Sequence, residues 1–159
     1  MKTGILGALA LAAVTSGLAA CNDAPPPPPA ATPASSLSAS NARLVLSAVK
    51  GNPAAAYFDV TNKSDKDWMI DSARLEGAQN TMLHMETNAP GTVGGMGELP
   101  AVSVPHGQTV QFEPGKLHVM VMDPPPTLAP GDKAKLTLRF PGGATMSFPL
   151  DVRAAGDRR

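Results

Sequence analysis

Residues 133–152 read KAKLTLRFPGGATMSFPLDV and contain two runs of alternating polar and apolar side chains, one on either side of a Pro-Gly-Gly turn. In an extended chain, neighbouring side chains point to opposite faces, so each run presents one apolar row. The first row is Ala134, Leu136, Leu138 and Phe140, and the second is Met146, Phe148, Leu150 and Val152. The pattern predicts an antiparallel hairpin in which one face of each strand is buried in a core.

The same short period continues through the segment that we assign to the folded domain, residues 41–153. Alternating or mostly apolar runs cover residues 44–49 and 55–60, and turn sequences fall at residues 105–107, 113–115 and 129–132. The chain has 17 prolines and 15 glycines, and these residues favour turns and interrupt any helical periodicity. Short strands at this spacing predict an all-β domain, folded as an antiparallel sandwich or barrel.

The composition excludes several classes of function. The chain has 13 basic and 13 acidic residues, so it lacks the basic excess with which proteins bind nucleic acid. The sole cysteine, Cys21, excludes an internal disulfide, a CxxC redox motif and a multi-cysteine metal site. Neither a Ser-His-Asp constellation nor a pair of catalytic carboxylates stands out, so we expect a protein that is not an enzyme. We also expect a monomer.

The N-terminal residues have the features of a bacterial lipoprotein precursor. Residues 1–20 combine Lys2 with a short apolar stretch, which suits a signal peptide and is too short to span a bilayer. The Leu-Ala-Ala sequence before Cys21 resembles a lipobox, so we expect cleavage before Cys21 and its lipidation, although an ordinary secreted protein is the alternative.

Between this anchor and the domain, residues 21–40 include five consecutive prolines and predict an extended tether. Residues 154–159 predict a short tail. The mature protein would be periplasmic and anchored to a membrane through its acyl chains. Asn22, directly after Cys21, favours the outer membrane if the host is Gram-negative.

Two histidines and two methionines are the candidate metal ligands. His118 and Met120 are two residues apart in a predicted strand and so share a face. His84 from another strand and Met96 from a glycine-rich loop would complete four ligands. Imidazoles and thioethers are neutral, and thioethers are soft, so this set favours Cu(I) over Cu(II) or zinc.

The spacing of these residues resembles the H(M)X10MX21HXM signature of the PCu(A)C family of periplasmic copper chaperones. Here ten residues separate His84-Met85 from Met96, and 21 residues separate Met96 from His118-Val119-Met120. The resemblance extends to the sequences at residues 52–62, 114–120 and 136–140. It implies a cupredoxin-like β-sandwich or barrel that binds Cu(I) and delivers it toward the CuA centre of cytochrome c oxidase, often beside a Sco-type protein.

Other methionines have simpler expected roles. Met85 alternates with His84 and should point away from the metal and pack. Met82 and Met122 share faces with the ligands, and we interpret them as a hydrophobic collar rather than as entry ligands. We expect Met69 and Met146 in the core.

Other functions stay open on the sequence alone. An electron-transfer cupredoxin would need a cysteine ligand, and Cys21 lies outside the predicted domain. Copper storage or copper tolerance is an alternative to delivery. A copper-dependent redox enzyme and a metal-free adhesion module are further alternatives, which turnover assays and metal analysis would separate.

Overall fold

Strands account for nearly all regular structure in residues 36–87 and 95–157, the part of the chain that our computed structural model describes; of residues 87, 95 and 96 it describes only the backbone. The strands are β1 (Leu37–Val45), β2 (Ala54–Asn62), β3 (Trp68–Ile70), β4 (Ser72–Leu75), β5 (Thr81–Thr87), β6 (Gly95–Glu98), β7 (Val102–Val104), β8 (Thr109–Phe112), β9 (Leu117–Val121), β10 (Lys133–Arg139) and β11 (Thr145–Arg153). Within these residues no helix is long and apolar enough to cross a membrane. The predicted signal peptide, Cys21 and most of the predicted tether lie outside the described residues.

Most of the strands join one curled sheet. Its strand order is β4-β10-β11-β1-β2-β9-β5-β6, with β8 also pairing with β2, while β3 and β7 form a separate two-stranded sheet. The β1–β11 pair is parallel, unlike the antiparallel pattern that we predicted. The hydroxyl of Thr81 in β5 donates to the carbonyl of Ala73 in β4. This bond joins the strand at one end of the sheet to the strand next to the other end. The sheet therefore curls into a half-barrel, and the predicted all-β class is confirmed.

The predicted hairpin is confirmed and forms one wall of the core. β10 and β11 pair with Leu136 opposite Phe148, and a 3-10 turn at Pro141–Gly143 joins them. All eight residues of the two predicted apolar rows are buried. Phe58 of β2 meets Phe148 edge-on at 5.2 Å and stacks on Phe112 at 4.2 Å between ring centroids. Because each large apolar side chain stabilises the fold by about 1.5–3 kcal/mol when buried, these contacts tie the hairpin to β2 and β8.

Strand β1 begins at Leu37, inside the segment that we predicted to be tether. Leu37 is buried and pairs with Asn62, which is itself fully buried at the end of β2. The Asn62 amide donates to the carbonyls of Lys66 at 2.8 Å and Val104 at 2.9 Å, and its oxygen accepts from the N–H and hydroxyl of Ser64. Strand β1 thus includes residues 37–40, which we assigned to the tether, because a partner distant in sequence covers an isolated leucine.

Two of the expected methionine positions are wrong. Met69 is 42% exposed, since it alternates in β3 with the buried Trp68 and Ile70. Met85 is 39% exposed, because the residue opposite it in β6 is Gly97, which has no side chain to cover it. Met146 is buried, as predicted.

Candidate metal centre

The histidines predicted as ligands are cross-strand neighbours. β5 and β9 pair antiparallel, with His84 directly opposite His118 and Met82 directly opposite Met120. The two imidazole centroids lie 5.9 Å apart, with the ring planes inclined by 66°. Because side chains alternate along a strand, these four residues share one face of the sheet. Val119, between His118 and Met120 in β9, is buried on the other face.

A hydrogen bond fixes the ring of His118. The side chain is 4% exposed, and its Nδ1 lies 2.9 Å from the carbonyl oxygen of Lys116. A carbonyl oxygen only accepts hydrogen bonds, so Nδ1 carries the proton and Nε2 keeps its lone pair. The Tyr57 ring packs at 6.2 Å from the imidazole, tilted by 50°. His118 is therefore oriented, with a nitrogen lone pair available, before any cation binds.

His84 has a buried nitrogen with an unmet hydrogen-bonding requirement. Its Nδ1 is inaccessible to solvent and has no hydrogen-bond partner among the described residues. Leaving such a group unpaired costs about 1–3 kcal/mol, so proteins seldom retain one without a reason. A cation bound at this nitrogen would supply the missing partner.

The two predicted methionine ligands belong to β9 and β6, the strands on either side of β5. Met120 is half-buried and lies opposite the small Ala55 of β2, which leaves room beside it. The backbone of Met96 lies in β6, opposite Glu86 of β5, rather than in the predicted loop. The strands that carry all four predicted ligands are thus neighbours in the order β9-β5-β6.

Tyr57, which borders His118 and in turn contacts Arg43, is a polar residue that the sequence pattern did not reveal. Tyr57 pairs with Arg43 of β1, whose guanidinium carbon lies 5.1 Å from the tyrosine ring centroid. Burial raises the pKa of Tyr57 above 10.0, the Arg43 cation opposes that rise, and the Glu86 carboxylate adds to it. Alternation places Tyr57 on the face opposite Phe58, but no local signal in the sequence shows that this face meets His118.

The donor atoms suit a soft cation of low charge. The imidazole nitrogens and the Met120 thioether are neutral, so they do not offset the charge of a hard divalent ion. Among residues 36–87 and 95–157, no three His, Cys, Asp or Glu side chains come together to hold a metal. A site at this face therefore depends on the two histidines and on sulfur.

Comparisons with known sequences identify a lipoprotein family. The LpqE-like lipoprotein family model matches residues 37–152. A protein of Leifsonia xyli subsp. xyli, named "Putative lipoprotein Lxx21020", is 28% identical over 99 residues, which are 62% of this chain and 60% of that protein. The match thus spans less than two thirds of the relative's length.

Comparisons with solved structures identify the fold. The copper-bound PCuAC domain from PmoF2 has a TM-score of 0.62 at 18% identity, covering 75% of this chain and 93% of that domain. The solution structure of CuI-DR1885 from Deinococcus radiodurans has a TM-score of 0.58 at 27% identity, covering 79% of this chain and 85% of that protein. These likenesses confirm the cupredoxin-like fold expected from the sequence. Since the family model also covers the folded domain from β1 to β11, the chain belongs to the LpqE-like lipoprotein family and has the fold of a PCuAC domain.

Proposed function

We propose that this protein binds Cu(I) outside the cytoplasm and passes it to other copper proteins, with His84, Met96, His118 and Met120 as the ligands. The observation that carries the proposal is the pair of facing imidazoles, one with an orphaned buried Nδ1 and one whose Nε2 lone pair is left available. The copper-bound PCuAC domain of PmoF2 and CuI-DR1885, which share the fold, support copper as the metal.

The oxidation state follows from the donor atoms. Thioether sulfur and imidazole nitrogen are neutral and soft to borderline, and soft donors select Cu(I). Unlike thiolates, thioethers form no disulfides, so they keep their function in an oxidising compartment. Cu(II) would find no anionic ligand among these four residues and should bind less well.

Transfer to a partner requires that the ligands leave in steps. Met120 is half-buried, whereas His118 is buried and held by the Lys116 carbonyl. An acceptor would therefore displace Met120 before His118, and we propose that both methionines leave before the two histidines. The protein acts in this scheme as a carrier with no catalytic residues, and substrate turnover by its copper form would contradict that.

A competition titration tests the binding proposal. The mature chain carrying Cys21→Ser would be titrated with Cu(I) against a chromogenic Cu(I) chelator. We expect one tightly bound ion per chain, lost when all four ligands are replaced and unchanged in His106→Ala, since the His106 side chain is exposed in a turn outside the site. Equal affinity of the fourfold variant and the unsubstituted chain would refute the ligand assignment.

The proposed acceptor of the ion is a protein of cytochrome c oxidase assembly. The resemblance to the PCu(A)C family favours the CuA domain of cytochrome c oxidase or a Sco-type protein over simple copper storage. Mixing the Cu(I)-loaded protein with a thiol-reduced apo-CuA domain without oxygen should give the colourless Cu(I)/Cu(I) centre. One-electron oxidation of that product with ferricyanide should then give the CuA absorption bands. A loaded protein that keeps its copper in the presence of both acceptors would favour storage.

The location is also proposed. Membership in a lipoprotein family supports lipidation of Cys21 and a membrane-tethered domain outside the cytoplasm. Cys21→Ser should shift the protein from the membrane to the soluble extracytoplasmic fraction. In a cell with two membranes, Asn22 favours the outer one, and density-gradient separation of the membranes tests this.

A further inference from the structure

We propose that Met82 is an additional Cu(I) ligand, which forms with Met120 a thioether pair beside the histidines and holds the ion during transfer. The proposal rests on the copper-carrier function above. It concerns a residue outside the four predicted ligands, and the cross-strand register of β5 and β9 supplies the argument.

The register is fixed on both sides of the site. The N–H of Met122 donates to the Asn80 carbonyl at 2.9 Å, and the N–H of Glu86 donates to the Lys116 carbonyl at 3.1 Å. Hydrogen-bonded pairs recur every second residue in an antiparallel ladder. The pairs between these two bonds, Met82–Met120 and His84–His118, are therefore also hydrogen-bonded pairs, with Cα atoms about 5.5 Å apart.

The four side chains consequently form a two-by-two array on one face of the sheet. Met82 faces Met120 across the strands as His84 faces His118. Successive members of one face are separated by about 6.6 Å along each strand, since the rise is about 3.3 Å per residue. Met82 is therefore as close to the pair of histidines along β5 as Met120 is along β9.

The surroundings of Met82 permit metal binding. Its side chain is half-buried, and the core on the opposite face is built without it, from neighbours such as Leu83 and Val119. A methionine side chain has three rotatable bonds and a polarizable sulfur, so it reorients at low cost. Met82 thus combines a soft donor with freedom to move toward the ion.

The position of Met82 also gives the transfer a direction. The backbone of Met96 lies opposite Glu86, two residues from His84 on one side, whereas Met82 is two residues from His84 on the other side. Exchange of Met96 for Met82 would therefore move the ion along the strands toward the Asn80–Met122 end. This end is where we expect the acceptor to take the ion.

A double-mutant comparison tests the proposal with Cu(I) itself. The mature chain with Cys21→Ser would be studied with Met82→Leu, with Met96→Leu and with both. Met85→Leu serves as the matched control, because the Met85 side chain is 39% exposed and lies on the opposite face of the sheet. Methionine-to-leucine changes conserve volume, and circular dichroism confirms folding of each variant. The readouts are affinity by chelator competition, the number of sulfur scatterers by X-ray absorption, and the rate of transfer to the chelator.

We expect Met82→Leu to weaken Cu(I) binding by roughly tenfold in the Met96→Leu background, to remove one sulfur scatterer there, and to slow transfer, with no effect of Met85→Leu. Equal affinity and sulfur number with and without Met82 in that background would overturn the proposal and make Met82 a hydrophobic collar. That result would leave the carrier function intact if the unsubstituted chain binds Cu(I). Absence of Cu(I) binding by the unsubstituted chain would overturn both.

Discussion

Replacement of His84 by leucine should stabilise the metal-free protein while abolishing copper binding. The Nδ1 of His84 is buried without a hydrogen-bond partner among the described residues, and such a group costs about 1–3 kcal/mol. His84→Leu removes that penalty and keeps an apolar body at the position. We therefore expect the free energy of unfolding to rise by about 1–2 kcal/mol, equivalent to roughly 3–8 °C in Tm.

His118→Leu is the matched control, because it changes the same residue type at the paired position on the same face. His118 donates a hydrogen bond of 2.9 Å to the Lys116 carbonyl, so its removal should lower the free energy of unfolding by about 0.5–1.5 kcal/mol. Urea and thermal unfolding at pH 7.5, with a chelator present, would measure both changes. The two variants should differ from the unsubstituted chain in opposite directions.

Adding Cu(I) completes the comparison. A ligand present at a hundred times its Kd stabilises the folded state by about 2.7 kcal/mol, so the unsubstituted chain should gain stability. Neither variant should gain as much. If His84→Leu destabilised the metal-free protein as much as His118→Leu, the assignment of His84 Nδ1 as an unsatisfied group awaiting a cation would be refuted.

Three further outcomes follow from the packing and the charges. Asn62→Ala should lower the free energy of unfolding by about 2 kcal/mol or more, measured by urea unfolding, because its four hydrogen bonds join β2 to its surroundings; a change below about 0.5 kcal/mol would contradict this. The Lys133 ammonium lowers the pKa of Asp151, so the stability that Asp151 adds should be present at neutral pH and lost as the pH falls below about 4 through the depressed pKa. If Asp151→Asn changed the free energy of unfolding in acid as much as at neutral pH, the ion pair would be excluded as the source of that change. Tyr57 is the chain's one tyrosine, so absorbance titration near 295 nm should report a pKa above 10.0, raised further by Arg43→Gln because the guanidinium opposes the rise caused by burial; an unchanged value in Arg43→Gln would show that the cation does not act on the ring.

Much of the fold could be predicted because alternation is a local property. In each strand of the 133–152 hairpin, the apolar side chains occur at every second residue, and all of them are buried. Alternation also predicted that Val119 and His118, which are consecutive in β9, point to opposite faces of the sheet. It did not predict Met69 or Met85 correctly, because exposure depends on what covers a face, and the Gly97 that lies opposite Met85 belongs to another strand.

The identity of the four candidate ligands came from spacing and from the chemistry of sulfur and imidazole, which the sequence contains in full. The pairing of β5 with β9 decided that His84 and His118, 34 positions apart along the chain, lie side by side with Met120, and the pairing of β5 with β6 placed the backbone of Met96 on the neighbouring strand. Cross-strand register depends on the summed packing of the whole sheet, so no local pattern encodes it. The tertiary structure alone therefore decided that His84 Nδ1 has no hydrogen-bond partner among the described residues, that the Tyr57 ring lies between His118 and Arg43, and that Met82 stands beside the histidines.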